Sequence, residues 1–295
     1  MLDFQTSLII KIISAIFFFI SGIVWKKVLV SDIKNYHFIF YRVIASLFFL
    51  ILIKVFFFYF EFDIIAKNEF LPSIYDWIIC ILICLFSFWG LYFYTKALQN
   101  GRLSFIVPVS GITSFFSFIT SILIFNEIIS FSKYLSFLLL IFGMIIHQKN
   151  SIKNMKFSKE LLFTLLSNFV WGISFVLYLI PIKKFGVLNF SIILEICVFA
   201  SCLILIICND KKILPPKISN RDFLYCFFMG FLIAGGSFLS NFTLILFPVS
   251  INILFGLIFE VLILATGFYF FKEKLYKEDW ILISFITIST ILLLN

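Results

Sequence analysis

At 295 residues, with 63% hydrophobic and only 13% charged residues, the chain cannot be a soluble globular protein, whose apolar share lies nearer half. Its net charge of +8 does not point to nucleic acid, because the lysines stand singly or in pairs between apolar runs, where they set membrane orientation. What remains is an all-α integral membrane protein.

Ten apolar runs follow one another, most of them about as long as a bilayer-crossing helix: 7–25, 37–58, 76–98, 103–125, 131–148, 160–180, 188–208, 222–246, 248–270 and 279–294. The first is expected to stay as a span, since Lys26-Lys27 and not a small cleavable residue follows Trp25. The 45 phenylalanines read as bulky lipid-facing residues. All six cysteines fall inside apolar runs and form no CxxC pair, so they read as small reduced hydrophobes and not as disulfides or metal ligands. No metal or cofactor is expected.

The runs repeat. Leu8–Ser21, with Ile13-Ser14 and Ile20-Ser21, answers Leu161–Ser174, with Leu166-Ser167 and Ile173-Ser174, at a constant offset of 153 residues. At the same offset Arg42 in the second run answers Glu195 in the seventh. The later stretch Gly101–Ile146, broken at Asn126-Glu127, answers the segment from Pro248 broken at Lys272-Glu273, with Glu127 and Glu273 146 residues apart. About seven residues were therefore lost between these markers. The chain divides into a five-helix repeat over 1–148, a polar linker over 149–159 and a second five-helix repeat over 160–295. Five spans per half is odd, so the second copy starts on the other side of the membrane. The expected fold is ten transmembrane helices as two inverted five-helix repeats, with a cavity between them near the midplane.

Sixteen lysines and arginines fall in the loops after the odd-numbered runs and five in the loops after the even-numbered ones. The positive-inside rule puts the richer side in the cytoplasm and both termini outside it, in a multi-pass protein of the cell (inner) membrane.

Phe40-Tyr41-Arg42-Val43-Ile44-Ala45-Ser46 at the start of the second run resembles the Arg-containing start of that span in the EamA-like transporters of the drug/metabolite transporter superfamily. Pro108 in the fourth run, the breaks at Asn126-Glu127 and Lys272-Glu273-Lys274, and Trp171-Gly172 in the sixth are similar to that family too, most of all to its chloramphenicol-sensitivity (RarD-type) permeases. The resemblance implies a ten-helix carrier of small metabolites working by alternating access, its cavity drawn mainly from runs 1, 3, 4, 6, 8 and 9. Two features depart from it. Family members more often have both termini in the cytoplasm, and the family's small Gly and Ala packing positions are here thinly filled, with Ser and Phe instead.

Ionisable groups at membrane depth cost roughly 3 kcal/mol on insertion scales, so each calls for a reason. Lys11 and Lys54 lie within about a turn of their span ends, where a long side chain snorkels to the interface. His37 and His147, at span ends, read as interfacial. Arg42 and Glu195, somewhat deeper, are candidates for a structural or gating charge, against the alternative of interfacial anchors. Glu260, halfway along its run, is a candidate for recognition of a cation or coupling to protons, against that of a neutral acid bonded to a neighbouring helix. Uncharged candidates for binding substrate are Ser14, Trp89, Tyr92, Ser110, Thr113, Ser114, Ser117, Asn168, Trp171, Asn241 and Asn252. The spacing of Ser110, Thr113, Ser114 and Ser117 places them on one helix face, which either lines the cavity or packs against a neighbour.

The chain has no HExxH metal pair, GxSxG elbow or phosphate-binding glycine loop, so it is not expected to be an enzyme. The expected function is secondary transport of small polar or amphipathic organic metabolites, amino-acid-like solutes or drugs. The alternative is a flippase for lipid-linked substrates or a passive channel. Its partners are then a small-molecule substrate and the lipid bilayer, with no nucleic acid. Proton coupling, exchange and the solute gradient alone all stay open as driving forces, and so does the oligomeric state.

Overall fold

The computed structural model describes residues 4–29, 33–60, 71–100, 112–126, 130–154, 159–249, 251–252 and 277–294. Its helices are α1 (Phe4–Leu29), α2 (Asn35–Tyr59), α3 (Ile74–Asn100), α4 (Ile112–Phe125), α5 (Phe131–Asn154), α6 (Lys159–Leu177), α7 (Leu179–Phe185), α8 (Val187–Asp210), α9 (Asn220–Leu246) and α10 (Lys277–Leu294). Among the described residues six segments are long and apolar enough to cross a bilayer: Gln5–Trp25, Asn35–Tyr59, Ile74–Gln99, Lys159–Phe185, Val187–Asp210 and Asn220–Leu246. Helices satisfy their own backbone groups, which is what hydrocarbon demands of any spanning segment. Residues 253–270 of the ninth run, the start of the fourth run with Pro108 and Ser110, and Glu127, Glu260 and Glu273 lie outside the described residues.

Local sequence explains where several helices start and stop. At the start of α3, Ser73 and Asp76 cap reciprocally: the Asp76 carboxylate accepts from the Ser73 N–H at 2.9 Å and the Ser73 hydroxyl oxygen accepts from the Asp76 N–H at 3.3 Å. Ser219 caps α9 by accepting from the Asp222 N–H at 3.1 Å. The two Ser-x-x-Asp signals are 146 residues apart, so the repeat carries its own helix-start punctuation. The offset changes from 153 to 146 within the connection after α2, which is longer than its counterpart after α8. The sixth run, expected over 160–180, continues to Phe185 as one apolar segment. α6 and α7 meet at Tyr178, whose backbone stays helical at φ −56° and ψ −27°, and Pro181, which has no N–H to give, interrupts only the ladder of hydrogen bonds. Gly186, at φ 77°, then turns the chain directly into α8, a left-handed backbone that a side chain would strain.

The two halves exchange contacts. α1 packs on α9 and α3 packs on α6, while α2 lies against both α8 and α9, α4 against α6, and α5 against α10. Ala, Gly and Ser let the helices approach closely. A methyl group built on Gly90 of α3 would strike the Trp171 indole of α6 at 2.5 Å, and one on Gly236 of α9 would meet Phe17 at 3.2 Å and the Phe18 ring of α1 at 3.4 Å. Gly90 and Gly236 are 146 residues apart, and Phe18 and Trp171 are 153 apart, so these are the same contact made twice with the halves interchanged. Along α2, His37, Arg42 and the ring of Phe40 meet Asp210, Glu195 and Phe199 of α8. As numbers rise on one helix they fall on the other, so the pair runs antiparallel. α5 and α10, the last helices of the two halves, join through Ser136 and Ser289. Each hydroxyl donates to the other residue's carbonyl, at 2.8 and 2.7 Å.

Candidate functional site

Several polar groups of the interior are held at crossings between the halves. Arg42 and Glu195 are 2% and 4% exposed, and the two residues that the repeat makes equivalent face each other directly. Arg42 Nη1 donates to Glu195 Oε1 at 2.7 Å and Oε2 at 2.8 Å, and to the Ser46 hydroxyl at 3.3 Å. The Ser46 hydroxyl in turn donates to the Gly230 carbonyl of α9 at 3.2 Å. One ion pair thus ties α2 to α8 and, through Ser46, to α9. Arg42 Nε is buried with no hydrogen-bond partner among the described residues, which leave the guanidinium incompletely satisfied.

A second charged cluster closes one end of the same helix pair. The Asp210 carboxylate at the C-terminus of α8 accepts from Lys34 at 2.5 Å and Tyr36 at 3.0 Å, and meets His37 Nε2 at 2.5 Å. The carboxylate raises the Lys34 ammonium above its ordinary pKa. At the repeat-equivalent positions stand Phe57 and Val187, so the cluster exists at one end only. His37, expected at the interface, is buried in it, and sequence reasoning passed over Asp210 because a carboxylate ending an apolar run looks like a solvated helix end.

The hydroxyl stripe of α4 makes helix-to-helix hydrogen bonds in its described part. Thr113 donates to Asn168 Oδ1 at 3.1 Å and Ser117 to the Gly172 carbonyl at 2.8 Å, both on α6. Ser114 is buried beside them. Ser14 of α1 donates to the Gly236 carbonyl of α9 at 2.9 Å. Asn241 of α9 donates to Ser191 of α8 at 2.9 Å, and buried Asn252 donates to the Thr243 carbonyl at 2.8 Å while its Oδ1 finds no partner among the described residues. Trp171 lies over Gly90 and stacks on Phe175 with ring centroids 5.5 Å apart. Trp89 is largely exposed, in edge contact with Tyr92 at 5.7 Å. The structure therefore gathers Ser14, Thr113, Ser117, Asn168, Trp171 and Asn241 at the α1–α9, α3–α6, α4–α6 and α8–α9 crossings. It leaves Trp89 on the outside of α3. Ser110 and Glu260 lie outside the described residues.

The remaining cations inside the spans divide sharply. Lys54 is exposed, as a snorkelling lysine should be. Lys11 departs from that expectation: it is 9% exposed, on the face that α1 turns to the protein. Of the cysteines, Cys208 is exposed and the other five are buried, all of them free.

The model of the EamA-like transporter family matches the chain twice, over residues 6–147 and 158–295. No curated protein matches it. One solved structure, described only as "Crystal structure of protein", shares the fold with a TM-score of 0.69, covering 99% of this chain and 97% of its own at 10% identity. At that identity the likeness speaks for the fold alone.

Proposed function

The chain belongs to the EamA-like transporter family, and from that premise we propose that it is a secondary transporter of small polar or amphipathic organic metabolites, working by alternating access between two inverted five-helix repeats. The observation that carries this reading is the exchange of equivalent contacts across the halves, with Arg42 and Glu195, 153 residues apart, in direct contact, as two counterparts on the axis of the proposed repeat would be. In an inverted repeat that axis lies in the membrane plane, so two packings related by it are near in energy and open to opposite sides. Such a carrier rocks one set of crossings against the other, and the hydrogen bonds of Ser14, Thr113 and Asn168 are those that a passing solute would replace. Ten spans are completed by the run 248–270, whose Glu260 is kept as a candidate coupling group.

The test is counterflow in proteoliposomes holding the purified full-length chain. Radiolabelled amino acids and organic acids, supplied singly, should enter in a saturable way and at least several-fold faster when the same unlabelled solute is inside. Flux that rises linearly with concentration and ignores the internal solute would make the protein a channel. Movement of a fluorescent phospholipid between leaflets, with no solute flux, would make it a flippase.

For orientation, the loop lysines favour both termini outside the cytoplasm of a cell whose inner membrane holds the protein. Alkaline phosphatase fused after Asn295 should then be active in a bacterial host and a fused green fluorescent protein dark. A fluorescent fusion would reverse the orientation.

A further inference from the structure

Lys11 is the buried cation for which the described protein supplies no partner. Arg42 has Glu195, Lys34 has Asp210, and Lys54, Lys183 and Lys184 are exposed. Lys11 is 9% exposed and makes no hydrogen bond or ion pair with any described residue. It lies seven residues inside α1, about 10 Å along the helix axis. Ser7, Lys11, Ser14 and Ser21, all buried, fall at i, i+4, i+7 and i+14, one face of an otherwise apolar helix. That face packs against α9, where Ser14 reaches the Gly236 carbonyl. The antiparallel register set by Ser14–Gly236 and by the Phe17–Phe231 ring contact puts Lys11 level with Leu239–Ser240, next to Asn241.

The second half shows what the fold itself needs at this position. Its matching face on α6 carries Thr164, Ser167 and Ser174 in place of Lys11, Ser14 and Ser21. Thr164 is 0% exposed and satisfied locally, its hydroxyl donating to the Glu160 carbonyl at 2.7 Å. A residue that closes its own hydrogen bond is enough for packing there. An ammonium kept in the same place without a counter-ion is costly, so packing does not account for it.

We propose that Lys11 is the anion-recognising group of the transport site, and that the solute is a small organic carboxylate. This rests on the carrier reading and adds to it the charge of the cargo. The solute's carboxylate takes the place of the missing counter-ion, with the Ser7 hydroxyl one turn away as a further donor. Because the matching position in the other half is uncharged, recognition of the anion is not duplicated, and the carboxylate end of the solute is held by α1.

The experiment compares counterflow of labelled glutamate, succinate and lactate with that of their neutral amides glutamine, succinamide and lactamide. It uses the full-length chain and its Lys11→Thr and Lys11→Arg variants in proteoliposomes. The wild type should move at least one carboxylate ten-fold or more faster than its amide. Lys11→Thr, which installs the residue the fold already accepts at 164, should abolish that preference, and Lys11→Arg should keep part of it. A monodisperse elution profile for Lys11→Thr shows that the loss is not unfolding, and the wild-type preference is readable without any variant. Trans-stimulated flux of amides in the wild type without preference for carboxylates overturns the role of Lys11 and leaves the carrier reading standing. So does an unchanged preference in Lys11→Thr. Absence of trans-stimulated flux for all six solutes overturns both.

Discussion

Removing either partner of the Arg42–Glu195 pair alone should cost about 3–5 kcal/mol of stability, because the survivor is left charged and buried. Glu195→Gln strips Arg42 of the carboxylate that accepts both of its short bonds, on a guanidinium whose Nε already has no partner among the described residues. Arg42→Met leaves a carboxylate sealed between α2, α8 and α9. Replacing both at once, as Arg42→Met with Glu195→Leu, removes the desolvation burden along with the attraction, and most of the loss should return. Unfolding of the purified protein in detergent, followed by intrinsic tryptophan fluorescence, gives all four corners of the double-mutant cycle. Additive losses with no coupling between the two sites would mean that the pair is not the tie between halves that its geometry makes it. The reversed pair, Arg42→Glu with Glu195→Arg, should be better tolerated than either single reversal, because each site is the repeat-equivalent of the other.

The second large effect is expected at Gly230. A Cβ there would fall on the Ala45 side chain and 2.7 Å from the Ser46 backbone nitrogen, and backbone cannot swing aside as the end of a flexible side chain does. Gly230→Leu should therefore force α9 off α2, breaking the Ser46 bond to the Gly230 carbonyl and loosening the Arg42 anchor behind it. The cost should be about 3 kcal/mol, the upper part of the overpacking range. Gly235, five residues on, is the control: its added Cβ meets only the Phe17 ring at 3.4 Å or more, an ordinary contact. Gly235→Ala should be neutral or should stabilise the helix by up to about 1 kcal/mol. Size-exclusion profiles and melting temperatures of the two variants separate the outcomes, and a Gly230→Leu protein as stable as wild type would refute the close approach.

Much of the framework can be read from the chain itself. Apolar run length shows that the chain lives in lipid, since only helices long enough to cross it satisfy their backbone there. The offset of 153 residues identifies Arg42 and Glu195 as counterparts before any contact is known. The Ser-x-x-Asp caps at 73–76 and 219–222 carry the same information for α3 and α9, and a search for helix-start signals would have found them. Equivalence in a repeat says nothing of contact, however. That the two counterparts touch follows from the antiparallel crossing of α2 and α8, which joins residues far apart in sequence.

Lys11 marks the limit most clearly. Its distance from the end of its run permits snorkelling, and nothing along the chain distinguishes it from Lys54, which does lie exposed. α1 and α2 are apolar nearly all round, so their hydropathy does not tell which face meets lipid and which meets protein. The hydroxyls of Thr113 and Ser117 were equally legible as cavity lining or as packing, and only the approach of α6 turned them into donors to Asn168 and Gly172. By itself the sequence determined that the protein is a membrane-embedded, duplicated helical chain, because run length and repetition are properties of a line. Which buried charge has a partner among the described residues and which has none there was decided only by tertiary structure, because partnership depends on which helix faces meet.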